Sequence, residues 1–163
     1  MTETISLTQG QVALVDDWRY EELNQWKWQA QWDEDTQSFY AMRKEGKSPF
    51  RKAISMSRQI MNTPKGVFCD HRNHNTLDNQ EHNLRNVTNS QNQMNKGVQS
   101  NNKLGQKCIS PHPDGYAVQV YKDGELVCNT TRRSLDDAIA VRNEAVKKYH
   151  GEFAYLPNQG DQP

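Results

Sequence analysis

Four side chains that lie close together in the sequence could carry out metal-assisted hydrolysis. They are Asp70 and His71 at the end of "VFCDH", Asn83 in "EHNLR" and Asn92 in "NSQNQMN". A carboxylate from Asp70 and an amide oxygen from Asn92 are hard ligands. They suit Mg2+ or Mn2+, which keeps its other positions for water and phosphate oxygens. A neutral His71 can take a proton from an attacking water, and histidine titrates close enough to neutrality for that task. Asn83 has a supporting role, holding the loop so that the imidazole points correctly. The chemistry this set suggests is phosphodiester hydrolysis, with the metal stabilising the developing phosphorane charge and the leaving 3′ oxygen.

These residues need elements to bring them together. Residues 69–95, "CDHRNHNTLDNQEHNLRNVTNSQNQMN", hold eight asparagines and three histidines in 27 positions. Asparagine favours turns and competes for backbone hydrogen bonds, so such a run usually marks a loop or a low-complexity tract. This run is no repeat, because His71, His74 and His82 are set among Asp70, Leu77, Asp78, Leu84 and Val87 at irregular spacing. "VFCDH" reads as a short strand, "NLRNVT" as a second, and "NSQNQMNK" has helical spacing from about Ser90. In such a ββα unit the end of the first strand faces the helix. Asp70, His71 and Asn92 can then converge, with Asn83 bridging the hairpin. His74 and His82 read as loop residues and Cys69 as an inward-packing one.

The rest of the chain limits what surrounds this unit. With 163 residues, 34% of them hydrophobic, two or three small units are expected rather than one large core. Mean hydropathy is −1.04. No apolar run approaches membrane-spanning length and "MTETISLTQG" lacks the features of a signal peptide, so a soluble cytoplasmic protein is expected, with no membrane partner. Three cysteines without a C-x-x-C pair argue against a disulfide framework and against a cysteine zinc ribbon. The net charge of zero hides an asymmetry. Residues 1–40 carry 2 basic and 8 acidic side chains, residues 41–107 carry 12 and 4, and residues 108–163 carry 6 and 8. The basic third contains the candidate site, which suits a polyanion such as nucleic acid, although a solvated basic face would look the same.

Upstream, the N-terminal third reads as short strands. "QVALVD" is one. "WKWQAQW" puts Trp26, Trp28, Ala30 and Trp32 on one face, as the floor of a small sheet. "DEDTQ" turns the chain, "SFYAMRK" runs back, and "KAISMSRQIMN" is a strand passing into a helical turn near Arg58. Downstream, "GYAVQVY" and "ELVCNTT" form a hairpin across Asp123-Gly124. A helix follows, with Ser134 and Asp137 as a capping box, an apolar stripe through Leu135, Ala138, Ile139, Ala145, Val146 and Tyr149, and Gly151 as its end. "KGVQSNNKLGQK" reads as an extended linker able to lie along a DNA groove.

"CDH", "LDNQEHNLR" and "TNSQNQMN" resemble the HNH homing endonucleases of bacteriophages, in their H-N-N variety. The signature positions correspond to His71, Asn83 and Asn92, with Asp70 as a metal ligand. The segments "ISLTQGQVALVDDWRYEELNQWKW", "SFYAMRK" and "MSRQIMNTPKG" resemble what precedes the motif in those proteins. The C-terminal part resembles the APETALA-type DNA-binding domain. Ser57 stands where that family commonly has a histidine, and "QKCISPHPDG" lacks the tryptophan signature of an APETALA-type first strand. The resemblance implies an α+β fold: a strand-rich segment at 1–62, a ββα-metal motif at 63–96, a basic linker at 97–107, a β-sheet-plus-helix module at 108–156 and a disordered tail at 157–163. It implies a Mg2+- or Mn2+-dependent endonuclease acting on double-stranded DNA, with His71 and Asn83 catalytic, as a monomer or homodimer in the cytoplasm of an infected bacterium. Arg51, Arg58, Arg72, Lys96, Lys103 and Lys107 are the expected phosphate contacts, from position and charge. The alternative is a catalytically silent scaffold that occupies DNA or a host protein, as an anti-defence inhibitor would. The acidic first 40 residues and the altered C-terminal module motivate that alternative.

Overall fold

The computed structural model describes residues 1–99 and 101–156, so the expected tail at 157–163 lies outside the described residues. The chain is α+β and forms two compact units, Met1–Val87 and Thr88–Pro163. This division differs from the expected one. The two strands expected to form a ββα unit fall in the first unit and the expected helix in the second.

In the first unit, β1 (Thr2–Ser6) and β2 (Val12–Asp16) form an antiparallel hairpin. Strands β3 (Gln29–Asp33), β4 (Ser38–Glu45) and β5 (Lys52–Ser55) form an antiparallel sheet in that order. The short helix α2 (Met56–Ile60) follows, and β6 (Phe68–His71) pairs with β7 (Leu84–Val87). Ile5, Ala13, Val15, Leu23, Trp28, Ala41, Met56, Ile60 and Leu84 make one core. The β6–β7 hairpin is therefore seated on the N-terminal strands through Leu84.

Two expectations for this unit are corrected. The N-terminal third also contains a helix, α1 (Asp17–Asn24). It buries only Leu23, so "DWRYEELN" shows no apolar stripe, and its side chains instead form charge pairs such as Arg19–Glu22 at 2.9 Å. The tryptophan row is not a continuous floor either, because β3 begins only at Gln29. Trp28 is buried and donates its indole N–H to the Leu23 carbonyl at 2.8 Å, whereas Trp26 and Trp32 are each 40% exposed. Trp26 lies 4.2 Å from the buried Arg43 guanidinium, and Trp32 packs edge-on against its cross-strand partner Phe39.

In the second unit, α3 (Asn89–Asn95) starts at a capping box between Thr88 and Gln91. Strands β8 (Ile109–His112), β9 (Gly115–Lys122) and β10 (Glu125–Arg132) form an antiparallel sheet with β9 central. Pro111, which has no N–H to donate, sits on the edge strand β8. Asp123 and Gly124 both have positive φ, as the tight β9–β10 turn requires. Gly115 is obligatory: a Cβ there would lie 2.2 Å from the Arg132 carbonyl oxygen. Helix α4 (Leu135–His150) closes the core with Ala138, Ala145 and Val146 against Ile109, Val118 and Val120. Ser134 caps it by accepting from the Asp137 N–H at 3.1 Å, which is half of the expected box.

The expected extended linker is instead folded onto this unit. Leu104 packs on the core, Asn102 donates to the Gln106 carbonyl, and Gln106 accepts from the buried Arg142 at 3.0 Å. No described helix is long and apolar enough to cross a membrane.

Candidate active site

Asp70 and His71 end β6 because a short apolar strand buries its polar terminus against the N-terminal sheet. Asp70 is 9% exposed and His71 6%. Across the hairpin Asp70 faces Arg85, whose Nε donates to its Oδ2 at 2.9 Å, a buried ion pair. Sequence reasoning missed Arg85. The period-two register of two antiparallel strands could have suggested it, had the pairing been fixed.

The loop from Arg72 to Asn83 is held by its asparagines. Asn83, almost fully buried, accepts from the Asn73 N–H at 3.0 Å and donates to the Asp78 carbonyl at 2.8 Å. The Arg72 N–H donates to the Asn83 carbonyl at 2.8 Å. Asn73 donates its amide to the Asp78 carboxylate and accepts from the Asn75 N–H, while Asn75 accepts from Leu77. The loop is also laced to β2: Leu14 donates to Leu77, Asn79 donates to Leu14, and Glu81 donates its N–H to the Asp16 carboxylate at 2.7 Å. The asparagine excess is thus the material of a fixed loop.

This loop sets the environment of His71. Its Nε2 lies 3.4 Å from the Asn79 amide oxygen, and the Tyr40 ring is 6.4 Å away, edge-on. Burial pushes the His71 pKa below its ordinary value, against the opposing effects of Asn79, Asp70 and Asp78, so the ring is neutral near pH 7. Asn79 is 2% exposed and its Nδ2 has no partner. A buried donor of this kind is one that an ordered water satisfies.

Asn92 is on α3, half-buried, in the second unit. Among the described residues, no group of three or more His, Cys, Asp or Glu could hold a metal. Asp70 and His71 offer one carboxylate and one imidazole, and Arg85 already shares that carboxylate. A single carboxylate suits a cation such as Mg2+ or Mn2+, which keeps most of its positions for water and phosphate oxygens, better than one that needs a cage of protein ligands.

The expected phosphate contacts separate into two groups. Arg51, Arg72, Lys96 and Lys103 are exposed. Arg58 and Lys107 have other tasks. Arg58 donates to the carbonyls of Val67, Thr63 and Pro64, which ties down the approach to β6. The Lys107 ammonium donates to the carbonyls of Gln93, Met94 and Lys96 at 2.7, 2.8 and 2.6 Å. It therefore caps the C-terminal end of α3. Burial lowers its pKa to about 8.

Ninety-eight residues of the chain are 35% identical to an uncharacterized HNH endonuclease of Acanthamoeba polyphaga mimivirus. The match covers 60% of this chain and 50% of the viral protein, so the chain spans about half the length of that relative. No family model matches the chain, and no solved structure does.

Proposed function

We propose that this chain is a metal-dependent DNA endonuclease of the HNH type, in its H-N-N variety, that hydrolyses phosphodiester bonds in duplex DNA. One observation carries the reading: a neutral, buried imidazole adjoins a buried carboxylate at one strand end, in a loop that side-chain amides hold rigid. Similarity to a protein named as an HNH endonuclease supports it. His71 takes the proton from the attacking water. Asn83 keeps the loop, and with it the ring, in place. The buried Nδ2 of Asn79 beside the ring would be satisfied by an ordered water. Asp70 would hold Mg2+ or Mn2+, with Asn92 as a further oxygen donor proposed from the order of the elements, and His71 stays off the metal as the base. Such an ion supplies charge stabilisation at phosphorus and at the leaving oxygen.

In the same reading the protein is of phage type and acts in the cytoplasm of an infected cell. The sheet and helix of the second unit serve as an APETALA-type module, supported by three antiparallel strands under one helix. One site per chain nicks a single strand, and a cut through both requires dimerising or rebinding.

The Asp70–Arg85 pair favours a second reading. A guanidinium already neutralises the carboxylate, as expected of a silent scaffold that binds DNA or a host protein. Supercoiled plasmid incubated with Mg2+ separates the two. The first reading expects cutting that EDTA stops and that His71→Ala abolishes without loss of DNA binding. Equal cutting by His71→Ala, or none by the wild type, rejects it.

A further inference from the structure

The β4–β5 connection, residues 46–51, stands apart from the site described above. Phe50 at its tip is 86% exposed, although the core of its unit has formed without it. A lone exposed phenylalanine is ordinary, but its surroundings here are not. Lys44, Lys47, Arg51 and Lys52 flank it, all exposed, and among the described residues none of the four is in an ion pair. Glu45, the nearest carboxylate in sequence, is engaged by Arg43 at 3.2 Å. The tip is shaped: the Phe50 N–H donates to the Lys47 carbonyl at 2.9 Å, and Gly46 has φ +94° with the Phe50 carbonyl close behind it.

We infer that this loop is a DNA wedge, in which Phe50 enters a base step from the minor groove while Lys47, Arg51 and Lys52 grip the phosphates on either side. Apolar wedges on basic elements partly unstack a step, and the flanking cations supply the sequence-independent attraction. Four cations around one phenyl fit a polyanion with stacked rings. A lipid surface fits less well, since one phenyl buries too little apolar area for stable anchoring. The inference rests on DNA being the substrate, and it adds a contact remote in sequence from Asp70 and His71.

The test uses the full chain with His71→Ala, so that DNA stays intact. Nicked plasmid is closed by ligase in its presence and the topoisomers are resolved. Affinity for a mixed-sequence duplex is measured alongside. The parent is expected to shift the topoisomer distribution. Adding Phe50→Ala is expected to abolish the shift and weaken binding about tenfold, while Phe50→Leu retains most of both. If Phe50→Ala matches its parent in both readouts, the wedge is rejected while the nuclease reading stands. A Phe50-dependent shift from a protein whose wild type does not cut upholds the wedge and rejects the catalysis. Phe50-dependent binding to phosphatidylserine vesicles with no shift on DNA overturns the inference in favour of a lipid surface.

Discussion

Asparagine in residues 73–83 builds a loop held by side-chain amides, and Asn83 is its keystone because it meets both ends. Asn83→Ala leaves the Asn73 N–H and the Asp78 carbonyl without that partner. It is expected to lower unfolding free energy by about 1–3 kcal/mol in urea denaturation, and to lower kcat more than DNA affinity. Arg85 is the more revealing position. Arg85→Ala removes a buried cation from Asp70 and should cost about 3–5 kcal/mol of stability. If Asp70 is a metal ligand, Mg2+ should restore part of that loss and raise the melting temperature of the variant more than that of the wild type. An equal Mg2+ response in the two proteins would remove Asp70 from the ligand set. Asp70, His71 and Asn83 could be named as candidates from sequence alone, by type and spacing. Arg85 and Asn79 could not, because a cross-strand partner and an orphaned amide exist only once register and burial are fixed.

At the scale of elements, α3 and α4 show how the second unit is held. Lys107 caps α3 from the segment that reads in sequence as a linker. Lys107→Met should destabilise the protein by about 2–3 kcal/mol, read as a lower urea midpoint. At the end of α4, His150 donates from Nε2 to the Tyr121 carbonyl at 2.8 Å, and its buried Nδ1 has no partner. Burial lowers its pKa, with help from Lys107 and Lys122 and against its hydrogen bond to Tyr121. Folding therefore favours the neutral ring. Its contribution to stability is complete above pH 6.5 and is lost as pH falls from there through the lower pKa of the folded state. A urea midpoint that drops over this range in the wild type, and drops less in His150→Gln, is the expected result. Helix α4 was legible because its apolar period is strong, whereas α1 was not, since a helix that buries one leucine leaves almost no period to read.

For the whole molecule, charge distribution is the property on which the proposed DNA binding would depend. The basic middle third suits phosphate contact, but Arg58 and Lys107 spend their donors on backbone carbonyls. Each true phosphate contact steepens the dependence of log affinity on log salt by about 0.9. Arg51→Gln is therefore expected to flatten that slope by about this amount, and Lys107→Met to leave it unchanged; a flattened slope in Lys107→Met would return that lysine to the interface. By itself the sequence determined the α+β class, most of the strands, the cap and stripe of α4, and the residue types at the site. These depend on local periodicity, turn chemistry and spacing, which the chain carries in its order. Only the tertiary structure decided that the β6–β7 hairpin shares a core with the N-terminal strands while α3 is capped within the C-terminal unit, that the segment read as a linker is packed, and that two of six cations are structural. Those outcomes depend on which distant groups desolvate one another, and burial between remote segments leaves no period in the sequence.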